Sequence, residues 1–378
     1  MFYFCTLPTL SNIGGSAAAS KITNDMQSGI KGGSYENLAN VDVTATKKSN
    51  QVDVAVAGGI TTGSNTKGFS FGGGVAVSDI NNNFRAFLND TEKFQSTGIV
   101  NVDALDTKND NSRNAYLSSR SINTDPTAYL NSDDKGKVNG TNGGGNIVNV
   151  ALGGGASTGE SASSGLGISY AGVSNVMNVD INNNQAFNAQ NLNANSTNDS
   201  NIVNVTLGLA GSNKSFSGAG SFGVSDIVND GTINIKNSNV TATDNFQSEA
   251  QSNAHIVNVA GQAALADEFA GGLTFAYAID QDKTTGNANV TINAASGKNT
   301  PDKLTFENND EKKSSIDVDN KINTAAAVLD LNFASNSWVN GAVAVAVNKF
   351  NQSTEANLKG RGEKGEVLKL SATSATST

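Results

Sequence analysis

The sequence predicts an all-β chain folded as a right-handed parallel β-helix, a β-solenoid built from repeats of about 48–55 residues. Three observations support this prediction: a short motif recurs at nearly constant spacing, apolar and polar residues alternate, and turn-forming residues are abundant. The chain has 378 residues with 40 Gly and only 3 Pro, and about one residue in seven is Asn. Gly and Asn suit the corners of a coil because they tolerate left-handed backbone conformations.

The recurring motif has the form Val-Asn-Val or Val-Asp-Val. Copies that begin at Val52, Val100, Val148, Val203 and Val257 are separated by steps of 48, 48, 55 and 54 residues. The third copy lies in residues 146–157, NIVNVALGGGAS. Strict alternation is typical of a strand with one buried face. We therefore expect Val148, Val150 and Leu152 to face the core and Asn149 to face outward.

The repeats divide the chain into three regions. Residues 1–37 are predicted to be irregular or degenerate first rungs, residues 38–360 the solenoid, and residues 361–378 a truncated tail. The pattern begins with LANVDVTAT, in which Val41 and Val43 share one face. Each later unit contains three alternating segments of about 18 residues, which predicts about three rungs per unit. About 20 rungs spaced about 4.8 Å apart would form a rod about 100 Å long.

Individual units repeat some of their parts and lose others. The sequence DINNN occurs at Asp79 to Asn83 and again at Asp180 to Asn184, and Ser225-Asp226-Ile227 resembles Ser78-Asp79-Ile80. The unit at 98–145 lacks the Gly-rich part and is rich in charged residues, so we interpret it as a divergent unit with a solvent loop at 107–114. A second polar excursion is predicted at 297–315. These two loops are our candidates for protruding contact surfaces.

Charge and cysteine content exclude several classes of protein. The net charge of −9 and the pI of about 4.7 argue against nucleic-acid binding, which needs clustered Lys and Arg. Cys5 is the only cysteine and cannot form an internal disulfide. The apolar start, residues 1–10, is too short for a membrane span, and no transmembrane segment is predicted.

No catalytic, cofactor-binding or metal-binding residue is predicted. His255 is the only histidine, and we expect it to be a turn or flank residue. Zinc ligands do not cluster, and the calcium-binding nonapeptide repeat is absent. The pairs Asp280-Gln281-Asp282 and Asp317-Val318-Asp319 do not continue as EF-hand loops.

Five aspartates were the only candidates for acid–base chemistry. They are Asp53, Asp79, Asp103, Asp180 and Asp226, and we expect all of them on the outside of the coil. Each occupies a repeat position shared with Asn or Ser, whereas a catalytic site would be unique. The Gly runs at 72–74 and 153–155 also recur and do not continue as phosphate-binding loops, so they are predicted to be structural.

The repeat pattern [IV]VNVAxGGG, GxGxSxGVSxI and INNNxxAxI resembles that of fusobacterial-type leukotoxins and filamentous-haemagglutinin-like exoproteins. The resemblance covers about residues 38–360. It implies a passenger region exported by two-partner secretion or as an autotransporter, and placed outside the cell or on the bacterial outer surface. It also implies a non-enzymatic adhesin or exotoxin rod, with an unidentified cell-surface receptor or glycan as partner.

Other readings of the sequence stay open. A carbohydrate-active β-helix enzyme, a polysaccharide lyase or hydrolase, predicts one carboxylate cluster in a groove. An ice-binding solenoid predicts regular Thr ladders, but Thr44, Thr46, Thr241 and Thr243 are scattered. An array of β-sandwiches is the alternative fold, and it predicts units of about 90–100 residues with more aromatics.

Overall fold

The computed structural model describes residues 12–46, 49–62, 68–105, 145–158, 161–213, 215–238, 240–289, 304–306, 313–334, 339–359, 362–363 and 367–377. These residues contain 18 strands: β1 Asn12–Lys31, β2 Ser34–Leu38, β3 Val41–Thr46, β4 Ser49–Thr61, β5 Phe69–Asn89, β6 Lys93–Ser96, β7 Ile99–Leu105, β8 Gly145–Ser157, β9 Ala162–Asn182, β10 Phe187–Ser212, β11 Phe216–Lys236, β12 Val240–Ala266, β13 Phe269–Asn289, β14 Leu304–Phe306, β15 Lys313–Ala334, β16 Val339–Lys359, β17 Gly362–Glu363 and β18 Val367–Ser377. The described part contains no helix with the length and apolar character needed to span a bilayer.

The strands form two parallel sheets. Sheet A has six strands in the order β1-β5-β9-β11-β13-β16, and the other twelve strands form sheet B. The chain alternates between the sheets, so that β9 in sheet A is followed by β10 in sheet B, and β11 by β12. Each turn of the chain therefore adds one long strand to sheet A and one long or interrupted path to sheet B. The all-β, parallel part of the prediction is confirmed.

From Val148 onward each repeat forms one turn, so the prediction of three rungs per unit was wrong. The copies at Val148, Val203 and Val257 lie in direct register on neighbouring strands. The described residues make six turns, which at about 4.8 Å per spacing stack to about 24 Å. A 21-residue strand such as β5 extends about 70 Å at about 3.3 Å per residue. The body is therefore broad and short, and it does not form the predicted long rod.

The copy of the motif at Val100 is not structurally equivalent to the others. Val52 pairs with Val148, 96 residues later in the chain. Val100 instead pairs with Val41 and Leu192, at a different position along the strands. The predicted unit at 98–145 is therefore the middle of one turn, and part of its length lies outside the described residues. The two DINNN segments are also not equivalent, because Asp79 pairs with Gly172 and Asp180 pairs with Phe87.

One corner of the coil is a ladder of left-handed residues. Asp90, Asn183 and Asn237 have φ values of 61°, 58° and 49°, and Gly32 occupies the same corner with φ 69°. Asn183 Nδ2 donates to Asp90 Oδ1 at 3.1 Å, and Asn237 Nδ2 donates to Asn183 Oδ1 at 3.3 Å. Asn tolerates this backbone region better than other non-glycine residues. The predicted placement of Asn and Gly at corners is confirmed at this position.

The interior has a thick half next to this corner. Its core contains Phe84, Phe94, Phe187 and Phe246, all buried, together with aliphatic side chains from both sheets. The rings of Phe94 and Phe187 stack with their centroids 4.8 Å apart. The predicted inward face is correct here for Val43, which is buried in this core. Burial of this apolar surface is the main source of stability for this half.

The other half of the interior is thin, because small residues bring the sheets close together. The inward positions of β5 here are Ser70, Gly72, Gly74, Ala76 and Ser78, all buried. A Cβ at Gly72 would collide with the carbonyl oxygen of Gly154, and one at Gly153 would collide with that of Leu166. Backbone therefore meets backbone, and only hydrogen fits at these positions. No side chain larger than a hydrogen atom can point inward at Gly72 or Gly153.

The predicted orientation of the recurring motif was consequently wrong for Asn149, Val150 and Leu152, although Val148 is buried in a cluster with Val203 and Val257. Asn149 is 0% exposed and points between the sheets, while Val150 and Leu152 lie on the outer face. Val52, in the first turn, is 57% exposed. The alternation of the sequence correctly separates two faces. The assumption that the valine face is the inner one fails, because the facing sheet leaves no room for it.

The buried Asn of the motif ties the two sheets together. Asn149 Nδ2 donates to the Tyr170 carbonyl at 2.7 Å, and Asn204 Nδ2 donates to the Val224 carbonyl at 3.0 Å. Asn258 Nδ2 donates to the Tyr277 carbonyl at 2.9 Å. The three side chains stack in register and repeat the same bond from turn to turn. Their hydrogen bonds compensate for burying the amide donors.

The two ends of the chain form strands, and the two predicted loops are only partly covered by the described residues. Residues 12–31 form β1 in continuous register with β5, and residues 362–363 and 367–377 form β17 and β18 in sheet B. The predicted loop at 107–114 lies outside the described residues. Within the predicted excursion at 297–315, residues 304–306 form β14 and residues 313–315 begin β15, and the remainder lies outside the described residues.

Candidate functional site

The outer face of sheet A is divided into two regions of opposite polarity. We use "row" for residues that are in register on neighbouring strands. The apolar strip comprises the outward positions of residues 69–77 in β5 and their rows. The polar field comprises the outward positions of residues 79–89 and their rows. The boundary is abrupt, because the row of Val77 contains Tyr170, Val224 and Tyr277, and the next row contains Asp79 and Asp226.

The apolar strip contains no charged residue in any of the six strands. Its members are Ile13, Gly15, Ala17, Ala19; Phe69, Phe71, Gly73, Val75, Val77; Ala162, Ser164, Leu166, Ile168, Tyr170; Phe216, Gly218, Gly220, Phe222, Val224; Phe269, Gly271, Leu273, Phe275, Tyr277; and Gly341, Val343, Val345, Val347. Ser164 and the hydroxyls of the two tyrosines are its only polar side-chain groups. Contiguous exposed apolar surfaces of this kind usually mark interaction sites.

An arginine–aspartate pair lies at the centre of the polar field. Arg85 Nε is 2.7 Å from Asp180 Oδ2, and the Arg85 guanidinium lies 5.0 Å from the centroid of the Phe87 ring. Asn234 Nδ2 donates to the other carboxylate oxygen of Asp180 at 3.3 Å. The Phe87 ring lies over Gly29, where a Cβ would be 2.5 Å from it. Three neighbouring strands therefore hold a cation, an anion, an amide and an aromatic ring in fixed positions.

A tyrosine and two aspartates lie at the border between the strip and the field. Asp79, Gly172 and Asp226 form one row, and the Tyr170 hydroxyl lies over Gly172 between the two carboxylates. Burial, and then the charges of Asp226 and Asp79, raise the pKa of Tyr170 above its ordinary value. The phenol therefore keeps its proton at neutral pH and can donate a hydrogen bond.

The two carboxylates of this border row have different surroundings. Asp79 forms an ion pair with Lys21, with 3.1 Å between Oδ2 and Nζ. Burial raises the pKa of Asp226, and a hydrogen bond from Gln281 only partly opposes the shift. Asp226 Oδ1 is buried and has no hydrogen-bond partner. A carboxyl group in such surroundings is easier to protonate than an ordinary aspartate.

The remaining aspartates lie elsewhere, and one of them contradicts the prediction. Asp53 is buried inside the coil, in the row of Asn149, and accepts hydrogen bonds from Ser20, Ser78 and Gln51. Burial alone would raise the pKa of Asp53, but these three hydrogen bonds outweigh it and lower the pKa. Asp103 is on the outer side of sheet B but is buried there, and Asn195 Nδ2 donates to it at 2.9 Å. Asp79, Asp180 and Asp226 are on the outer face, as predicted.

His255, predicted to be a turn or flank residue, is not in a turn. It lies within β12, in register with Asn201 and Asn323, and its side chain is buried. Among the described residues, no group of three or more His, Cys, Asp or Glu side chains is arranged to hold a metal ion.

The sequence did not identify Arg85, Phe87 or Tyr170 as parts of a site. Arg85 stands in the sequence NNNFRAFLND without a nearby partner, and Asp180 is 95 residues away in the chain. Only the register of β5 and β9 brings the two side chains together. Gly29 and Gly172 each lie beneath an aromatic ring, and they were the only sequence feature that could have indicated the site. The chain has 40 glycines, so these two could not be distinguished from the others.

Comparison with protein-family models produced no match, and neither did searches of curated proteins and of solved structures. Function is therefore inferred from the geometry of the outer surface.

Proposed function

We propose that the chain is a non-enzymatic binding scaffold, a flattened right-handed β-solenoid that presents the polar field of sheet A to a cell-surface receptor or glycan. The observation that carries this proposal is the fixed group formed by Arg85, Asp180, Asn234 and Phe87. Parallel strands joined by successive turns of one coil favour a right-handed winding. A secreted or outer-surface location, as in leukotoxin-like and haemagglutinin-like passengers, is part of the same proposal.

The chemistry of the polar field suits a hydroxyl-rich partner. Carboxylate, amide and guanidinium groups can accept and donate hydrogen bonds to sugar hydroxyls, and the Phe87 ring provides an apolar surface beside them. The sheet holds these groups rigidly, so little conformational entropy is lost when a ligand binds. The Tyr170 hydroxyl at the border adds a protonated donor. A binding role requires no activated water or bound ion.

Cell-binding measurements test this proposal. The 378-residue chain, fluorescently labelled, would be applied to cultured epithelial cells and to a glycan array. We expect Arg85→Ala and Asp180→Asn each to weaken binding at least about tenfold, because a hydrogen bond to a charged group contributes about 1.5–3 kcal/mol. Asp42→Asn is the matched control, since Asp42 is exposed on sheet B, where Asn101 donates to it. Equal loss in the control, or full binding by both polar-field variants, would contradict the proposal.

The predicted contact loops can be compared with the polar field in the same assay. Deletion of residues 107–114 should leave glycan binding unchanged if the polar field is the contact surface. If this deletion abolishes binding and Asp180→Asn does not, the contact surface is the loop.

A carbohydrate-active enzyme is the second candidate, and one observation favours it. Asp79 and Asp226 are two strands apart, about 9.6 Å between backbones, and the raised pKa of Asp226 suits a general acid. Carboxylates in inverting glycosidases are about 6.5–9.5 Å apart. Reducing-sugar release from a panel of polysaccharides tests this role. If the chain releases reducing sugar and both Asp226→Asn and Asp79→Asn abolish this activity, the protein is an enzyme. If no reducing sugar is released, the binding scaffold is the supported function.

A further inference from the structure

We propose that the apolar strip of sheet A pairs face to face with the same strip of a second copy of this chain, forming a twofold dimer. The first argument is area. The strip spans eight residue steps of about 3.3 Å and six strands of about 4.8 Å, which gives about 750 Å². An ordinary monomer exposes at most about 300–600 Å² in its largest patch. A standard interface buries about 800 Å² on each partner. One strip is therefore close to the area that a stable dimer requires.

The second argument is composition. The 28 outward positions of the strip carry no charge, so no ion has to be buried when the strip is covered. The charged side chains Lys21, Asp79 and Asp226 begin in the next row, at the rim. An apolar centre with a charged rim is the usual anatomy of a protein–protein interface.

The third argument is surface relief. Several aromatic rings of the strip lie along the sheet over glycines instead of standing upright. A Cβ at Gly73 would be 3.0 Å from the Phe71 ring, and a Cβ at Gly218 would be 3.0 Å from the Phe216 ring. The Phe216 and Phe269 rings stack on each other with 4.9 Å between centroids. A levelled apolar sheet face packs well against another sheet face, at the usual separation of about 10 Å.

The two outer faces differ in the exposure of their border rows. In sheet B, Val148, Val203 and Val257 are buried, although Val52 in the same row is 57% exposed. In the corresponding border row of sheet A, Val77 and Tyr170 are 36% and 38% exposed. A contact that uses the same strip on both copies is closed by a twofold axis.

Sedimentation velocity of the full chain between about 1 and 50 µM, concentrations chosen to bracket a micromolar Kd, tests the proposal. We expect the wild-type chain to sediment as a dimer. Ile168→Lys places a charge on the 37%-exposed side chain near the centre of the strip and should weaken the dimer at least a hundredfold. Leu209→Lys is the matched control, because Leu209 is 48% exposed on the outer face of sheet B, and it should remain a dimer.

Ser164→Lys is a second variant that exchanges one polar side chain of the strip for another, so that a folding defect in Ile168→Lys does not decide the outcome. Its circular dichroism should match the wild type while its dimer dissociates. A monomeric wild-type chain at 50 µM would overturn the proposal, as would a dimer that only Leu209→Lys dissociates. The proposal would also be overturned if the chain stays monomeric and floats with phosphatidylcholine vesicles, since the strip would then bind lipid. None of these readouts depends on cell or glycan binding.

Discussion

The thick and thin halves of the coil use the same alternating pattern with opposite polarity. In the thick half, phenylalanine and aliphatic side chains point inward and polar side chains form the outer field. In the thin half, glycine, alanine and serine point inward, and valine, leucine and phenylalanine form the outer strip. A period of two therefore identifies the two faces of a strand, and the distance to the facing sheet decides which face is buried.

The largest effect is expected from removing a core side chain in the thick half. Leu192→Ala should destabilise the fold by about 2–5 kcal/mol, because Leu192 is fully buried and its loss leaves a cavity. Leu265→Ala, at a site 51% exposed on the neighbouring strand, should cost less than about 1 kcal/mol. Urea denaturation of both variants measures the difference. Equal costs would mean that the inner and outer faces have been assigned incorrectly.

A smaller but specific effect is expected from adding one methyl group in the thin half. Gly153→Ala should destabilise the fold by about 2–3 kcal/mol, because its Cβ meets the carbonyl oxygen of Leu166 and the sheets must separate. Gly154→Ala is the adjacent control, since its Cβ would point outward with 3.8 Å to the nearest atom. Thermal melts of the two variants should differ clearly. If Gly153→Ala melts with the control, the sheets do not approach as closely as described.

The corner next to the thick half should respond to backbone conformation alone. Asn183→Ala should cost about 1 kcal/mol, because alanine is disfavoured at φ 58°. Asn183→Gly removes the same hydrogen bond to Asp90 but accepts the backbone conformation, so it should cost less. Stability measured in urea would rank the two variants, and the opposite ranking would show that the side-chain ladder matters more than the backbone.

The smallest effects should appear in the pH dependence of stability, with opposite signs for two aspartates. The lowered pKa of Asp53 contributes stability that is present at neutral pH and is lost as the pH falls through the folded-state pKa. The raised pKa of Asp226 contributes stability at low pH that is lost as the pH rises through its folded-state pKa. Unfolding free energies between about pH 3 and pH 8, a range that brackets the ordinary aspartate pKa, measure both effects.

In these measurements, Asp53→Asn should remove part of the acid sensitivity, and Asp226→Asn should stabilise the chain at neutral pH. If both substitutions changed the unfolding free energy at neutral pH in the same direction, the environments assigned to Asp53 and Asp226 would be wrong.

The candidate site was less predictable than the fold class. The spacing of Val148, Val203 and Val257 correctly identified equivalent positions on three turns. The same motif at Val100 was misleading, because it belongs to a different position along the strands, where it pairs with Val41 and Leu192. Arg85 and Asp180 could not be paired from the sequence, since they are 95 residues apart in the chain and only the register of β5 and β9 places them side by side.

The sequence by itself determined that the chain is a β protein with parallel repeats, and that its corners carry asparagine and glycine. These properties depend on local backbone preference and on a period of two, which neighbouring residues fix. Only the tertiary structure decided the number of rungs per repeat, the inward direction of Asn149 and the outward direction of Val150 and Leu152. Those outcomes depend on the separation of two sheets, and the backbone contact between Gly153 and Leu166 sets that separation in the thin half.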